Sequence, residues 1–111
     1  MKKIQAIIKP LKLDDVKETL NEIGIGGLTI SEVKGVGKQA GKGGPFVSAP
    51  TTAGLPKVCL EIIVEDDRVE EVIAAILRSG SAGRVGDGKI FVTGLDDVIR
   101  VRTGERGSSA V

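Results

Sequence analysis

The sequence predicts an α+β fold in which two strand–helix–strand halves share one antiparallel sheet. Three observations predict it. Apolar residues recur with period 2 and then period 3.6, in the order strand, helix, strand, strand, helix, strand. The halves echo one another: Asp15-Val16-Lys17-Glu18-Thr19-Leu20 matches Arg68-Val69-Glu70-Glu71-Val72-Ile73 in pattern. A single long aperiodic stretch, 37–54, separates them. This is the split βαβ order of a ferredoxin-like double βαβ sandwich, in one domain over residues 1–111.

Each element follows from local chemistry. Lys2 to Lys9 alternates as a strand, with Ile4, Ala6 and Ile8 on one face and Ile7 on the other, and Pro10 ends it. Leu13, Val16, Leu20 and Ile23 share one helical face. Asp14 and Asp15 suit that helix's first turn, and Gly24 its stop. Leu28–Val36 reads as a second strand, and Lys57–Val64 as a third with Val58, Leu60, Ile62 and Val64 on one face. Asp66 or Asp67 is placed to cap a second helix with the stripe Val69, Val72, Ile73, Ile76 and Leu77. A glycine-rich loop, Gly80–Gly88, leads to a fourth strand at Lys89–Thr93. A short fifth strand is expected at Val98–Arg102, and a flexible tail from 103 to 111. The 37–54 stretch is long for a compact domain and predicts a mobile, functional loop.

Composition narrows the function. The formal net charge is +1 and aromatics are 2%, which argues against direct nucleic-acid binding through a cationic surface or a stacking platform. With one cysteine and no histidine, an internal disulfide, a thiolate–imidazole zinc site and histidine-based catalysis are all excluded. The start Met1-Lys2-Lys3-Ile4 does not resemble a signal peptide, and the chain is expected to be cytoplasmic. Strict alternation turns Ile7 and Ile63 away from the helices, so the second sheet face calls for cover by other copies of the chain.

Three loci can carry chemistry. Gly83-Arg84-Val85-Gly86-Asp87-Gly88-Lys89 combines free backbone amides with Arg84 and Lys89, a concavity suited to phosphate oxygens. It is not a Walker A loop, because Ile90 follows the lysine and a strand follows the loop. An ordinary glycine turn reads equally well. Gly35-Val36-Gly37-Lys38-Gln39 lies at the exit of the second strand, where a hinge is the simpler reading. Arg100 and Arg102, two apart on the expected fifth strand, would share a face and call for an anion between them. A solvated strand face is the alternative. Together the loci point to an anionic ligand, a nucleotide above all.

The same stretches resemble the PII nitrogen-regulatory signal-transduction proteins. The segments are Met1–Ile4 with Ala6–Pro10, Lys12–Val16, Glu32–Gly35 with Gly37 and Gln39, Leu55–Lys57, Gly86–Val92 and Val98–Glu105. The resemblance implies a homotrimer with ATP or ADP in clefts between neighbours. It implies Thr29 and Glu61 at the adenine, with Ile7 and Val64 nearby. Gly35, Gly37, Lys38, Gln39, Arg84, Gly86, Asp87, Gly88 and Lys89 would surround the ribose and phosphates, and Arg100 and Arg102 would reach them across the cleft. Gln39 and Lys57 would complete a 2-oxoglutarate site, with Gln39 meeting the Mg²⁺ that accompanies ATP. The long loop, the family's T-loop, would read out to an ammonium transporter, a nitrogenase component or another enzyme, with membrane contact only through a transporter. This chain has no tyrosine, so the family's tyrosine uridylylation has no acceptor here. The resemblance implies a regulator, not an enzyme. Two alternatives use the same cleft: a slow ATPase built on Asp87 and Lys89, and a PII-like trimer sensing bicarbonate or a cyclic nucleotide.

Overall fold

A computed structural model describes residues 1–36 and 54–111. Strand β1 is Lys2–Ile8, and a 3₁₀ turn at Pro10–Lys12 leads into helix α1, Leu13–Glu22. Strands β2 and β3 are Thr29–Gly35 and Leu55–Val64. A second 3₁₀ turn, Asp66–Arg68, leads into α2, Val69–Gly80, and strand β4 is Gly88–Gly94. The sheet runs β2-β3-β1-β4 with every pairing antiparallel. This is the expected antiparallel, ferredoxin-like arrangement.

The alternation predicted from sequence decides the packing. Ile4, Ala6 and Ile8 of β1 and Val58, Leu60, Ile62 and Val64 of β3 are buried. They meet Val16 and Leu20 of α1 and Val72, Ala75 and Ile76 of α2 in one core. Complete burial of a side chain such as Leu60 contributes about 1.5–3 kcal/mol over leaving it exposed. The odd-numbered residues of β1 and β3 face the other way. There Lys3 meets Glu61 at 3.5 Å, and Gln5 Nε2 donates to Cys59 Sγ at 3.4 Å. Phe91, paired across the sheet with Gln5, is 47% exposed on that uncovered face.

Helix α1 ends as Gly24 implied. Gly24 N–H donates to the Asn21 carbonyl and Ile25 N–H to the Leu20 carbonyl, both at 3.0 Å. With Gly24 at φ +84°, this is a Schellman stop, which a glycine enters without Cβ strain. Strand β3 starts two residues earlier than expected. Pro56 pairs only with β2, because the β1 ladder begins at Val58, so its missing N–H costs no bond on that side.

Two expectations need correction. Neither Asp66 nor Asp67 caps α2: the turn before it makes no side-chain cap, and Asp66 instead holds the Met1 ammonium at 2.7 Å. The fifth strand at Val98–Arg102 does not form. Only an isolated Ile99–Arg106 bridge is present, because Gly104 N–H bonds the Arg100 carbonyl at 2.7 Å and bends the chain back through 101–103. After Thr103 the chain continues through that bridge into a 3₁₀ turn at Gly107–Ala110, fastened by an Arg106–Asp97 ion pair at 2.7 Å.

Candidate functional site

The loop between α2 and β4 is built around one carboxylate. Asp87 Oδ2 accepts from the Ala82 amide at 2.9 Å, the Arg84 amide at 3.0 Å and Ser81 Oγ at 3.4 Å. Ser81 Oγ in turn accepts from the Gly83 amide at 3.2 Å. Lys9, just past β1, lies 3.3 Å from Asp87 Oδ1. The Arg84 and Ala82 amides, then Lys9, hold the Asp87 carboxyl down at about 2, against an ordinary 3.8. Asp87 was expected at the ligand. Its carboxylate is turned inward and shapes the loop.

Glycine is required where the loop joins the sheet. Gly88 sits at φ +113°, and a Cβ there would lie 1.6 Å from the Ile7 carbonyl oxygen. Gly86, also at positive φ, presents its carbonyl to Lys57 Nζ, which donates at 2.6 Å. Lys57 starts in β3 beside the long loop, and its stem packs against Gly35 of β2, where a Cβ would come 3.2 Å from Lys57 Cγ. Burial first, and then the Lys9 charge, press the Lys57 pKa below its ordinary value, while Asp87 opposes them. The base of the long loop and the glycine loop are thus tied by one lysine.

The loop leaves positive groups facing outward. Among the described residues, the Val85 and Gly86 amides donate to nothing, and Arg84 and Lys89 have no ion-pair partner. Lys89 continues onto the uncovered sheet face. Register places Ser31, Cys59, Ile7 and Lys89 in one row across it, and Thr29, Glu61, Gln5 and Phe91 in the next. Ile7, Thr29, Glu61 and Lys89 therefore lie on one uncovered face, spread over all four strands from Thr29 on one edge to Lys89 on the other, beside the glycine loop. A cavity of about 400 Å³ opens at the foot of the long loop, between Pro10, Glu32, Lys34, Pro56 and Lys57.

Other expected residues are not brought there. The Val64 side chain lies in the helix-side core, so only its backbone can reach the uncovered face. Arg100 and Arg102 follow β4 at the far end of the sheet, where Gly94 pairs with Lys2 and the Leu95 amide with the Met1 carbonyl. The seven residues of β4 separate them from Gly88 by roughly 20 Å of strand. They do not share a strand face, because both belong to the turn that replaces the fifth strand. Gly37, Lys38 and Gln39 lie outside the described residues. Sequence reasoning missed Lys9 and Ser81 as loop-shaping groups. Their only signal is proximity to Asp87, which register and helix ending create.

What this arrangement can do is hold an anion on a hydrogen-bonded glycine turn, beside a partly apolar, partly polar sheet face. It has close relatives. A family described as nitrogen regulatory protein P-II matches residues 1–105. The chain is 52% identical over 112 aligned positions to the nitrogen regulatory protein P-II of Azospirillum brasilense, covering all of both chains. It is 51% identical to nitrogen regulatory protein P-II 1 of Escherichia coli, again over the whole of both. A crystal structure of Arabidopsis thaliana PII bound to citrate matches with a TM-score of 0.83 at 41% identity, covering 99% of this chain and 91% of that one. On sequence, fold and extent of match together, this chain belongs to the nitrogen regulatory protein P-II family.

Proposed function

We propose that the protein is a homotrimeric signal transducer, not an enzyme, which binds ATP or ADP between neighbouring copies and reports the result to a nitrogen-metabolism target. One observation carries this reading. The glycine loop with Lys89 and the arginines at 100 and 102 stand at opposite ends of one sheet, so a single chain cannot close them on one ligand. A neighbour related by symmetry can bring its arginines to the first chain's loop, using the sheet face that the helices leave uncovered.

In that cleft the roles follow from chemistry. The Val85 and Gly86 amides and Lys89 take phosphate oxygens, with Arg84 adding charge at the rim. Thr29 and Glu61 supply polar edges for a base lying over Ile7. Mg²⁺ would come with ATP and be held by its phosphates, with Gln39 as the chain's own ligand. Among the described residues no cluster of Asp, Glu, His or Cys offers a separate metal site. Lys57 sits where a 2-oxoglutarate carboxylate could draw it from the Gly86 carbonyl. The Arabidopsis relative's citrate, a polycarboxylate, agrees with a carboxylate-accepting site in such proteins. An ATPase role has little chemistry behind it, since a carboxyl held at about 2 is a poor proton acceptor at neutral pH. The long loop would carry the readout to a transporter, a nitrogenase component or another enzyme, in the cytoplasm.

Titration calorimetry with ATP, ADP and Mg²⁺–ATP plus 2-oxoglutarate tests the reading. Saturable binding of both nucleotides is expected. Failure of both to bind at millimolar concentration overturns it.

A further inference from the structure

Arg100 is not a free cation. Its Nη1 donates to Glu105 Oε1 at 2.9 Å, and Thr103 Oγ1 donates to the same oxygen at 2.9 Å. The backbone reinforces the pairing: the Arg100 amide reaches the Glu105 carbonyl at 2.9 Å, and the Glu105 amide reaches Thr103 Oγ1 at 3.2 Å. Arg106, the other nearby cation, is committed to Asp97 at 2.7 Å and does not neutralise Glu105. Arg102, at the exposed bend, has no ion-pair partner among the described residues. The two arginines therefore differ: one is aimed and half-neutralised, the other is open.

We propose that Glu105 is a specificity-determining positioning residue, which sets the direction of Arg100 and holds down the advantage of a nucleoside triphosphate over a diphosphate. The proposal rests on the nucleotide reading above. A phosphate arriving at Arg100 must displace or share the guanidinium with a carboxylate. Both side chains are partly exposed, 37% for Arg100 and 44% for Glu105, so the pair is weak and displaceable. By holding the Arg100 guanidinium in an ion pair, Glu105 takes up part of that cation's attraction, and the loss weighs more on the more highly charged ligand. Glu105 thus brings the two affinities closer together, which is what a sensor of their ratio needs if both are to compete over one range. Arg102 supplies the uncompensated attraction.

The test is Glu105→Gln, which keeps the size and a hydrogen-bond acceptor while removing the charge. Calorimetry at low ionic strength should give about fivefold tighter ATP binding and about twofold tighter ADP binding, with the difference shrinking as salt is added. In an Arg100→Ala background the same change should give no gain. Circular dichroism and light scattering should leave fold and assembly unaltered, as expected for an exposed site. Unchanged or weaker ATP affinity overturns the proposal. So does an equal gain for both nucleotides, or a gain that persists without Arg100. If the unaltered protein binds neither nucleotide, the parent reading falls with it, whereas normal binding with no response to Glu105→Gln sinks this inference alone.

Discussion

At the scale of the residue, the glycine loop separates two kinds of glycine. Gly88 has a carbonyl where a Cβ would stand, whereas a Cβ on Gly83, at φ +71°, would meet nothing within 4 Å. Gly83→Ala should therefore cost about 1 kcal/mol from backbone strain alone. Gly88→Ala must also move β1, and should cost at least about 3 kcal/mol. Urea denaturation of the two variants measures the difference, and equal midpoints would contradict it. Asp87 gives a pH signature. Its folded value of about 2 lies below the ordinary 3.8, so ionised Asp87 favours the folded state. That contribution is complete above about pH 4 and fades as pH falls toward 2. The gap in urea midpoint between the natural protein and Asp87→Asn should be constant from pH 5 to 7 and narrow between about pH 4 and 2. A gap that widens on acidification would refute the clamp.

At the scale of the element, β3 matters most. It lies between β2 and β1, packs under the helices, and carries near its start the lysine that ties the long loop's base to Gly86. Leu60 is fully buried at its centre, so Leu60→Ala should cost about 2–5 kcal/mol, read as a lower thermal midpoint with the folded signal retained at low temperature. The turn from Arg100 to Glu105 is the element that sequence misjudged. Alternating Ile99, Arg100, Val101 and Arg102 reads as a strand, yet Val101 is 99% exposed. Period-2 patterning identifies a strand only when a ladder partner exists, and here the chain pairs with itself across five residues.

At the scale of the whole molecule, the proposed nucleotide site, divided between neighbouring copies of a trimer, predicts complementation. Lys89→Ala and Arg102→Ala should each weaken ATP binding about tenfold or more, with trimers still forming. Mixed and reassembled, one variant supplies an intact loop and the other an intact arginine, so about a quarter of the sites should regain full affinity. Calorimetry on the mixture reads this as a tight-binding fraction absent from either parent. No such fraction, with mixed trimers verified by mass spectrometry, would place both halves of the site in one chain.

Much of this protein was legible in its residues. Alternation and helical spacing are local properties, so the four strands, two helices and core face of each element could be read directly. The glycine–lysine loop announced itself because backbone geometry and charge leave a compositional mark. Register and turn closure are not local. Only the tertiary structure turned Asp87 inward, set Lys9 and Lys57 around it, and paired Arg100 with Glu105 at the far end of the sheet. Those contacts depend on which strand lies beside which, and on where a helix stops. Sequence spacing does not encode either at the precision of a hydrogen bond.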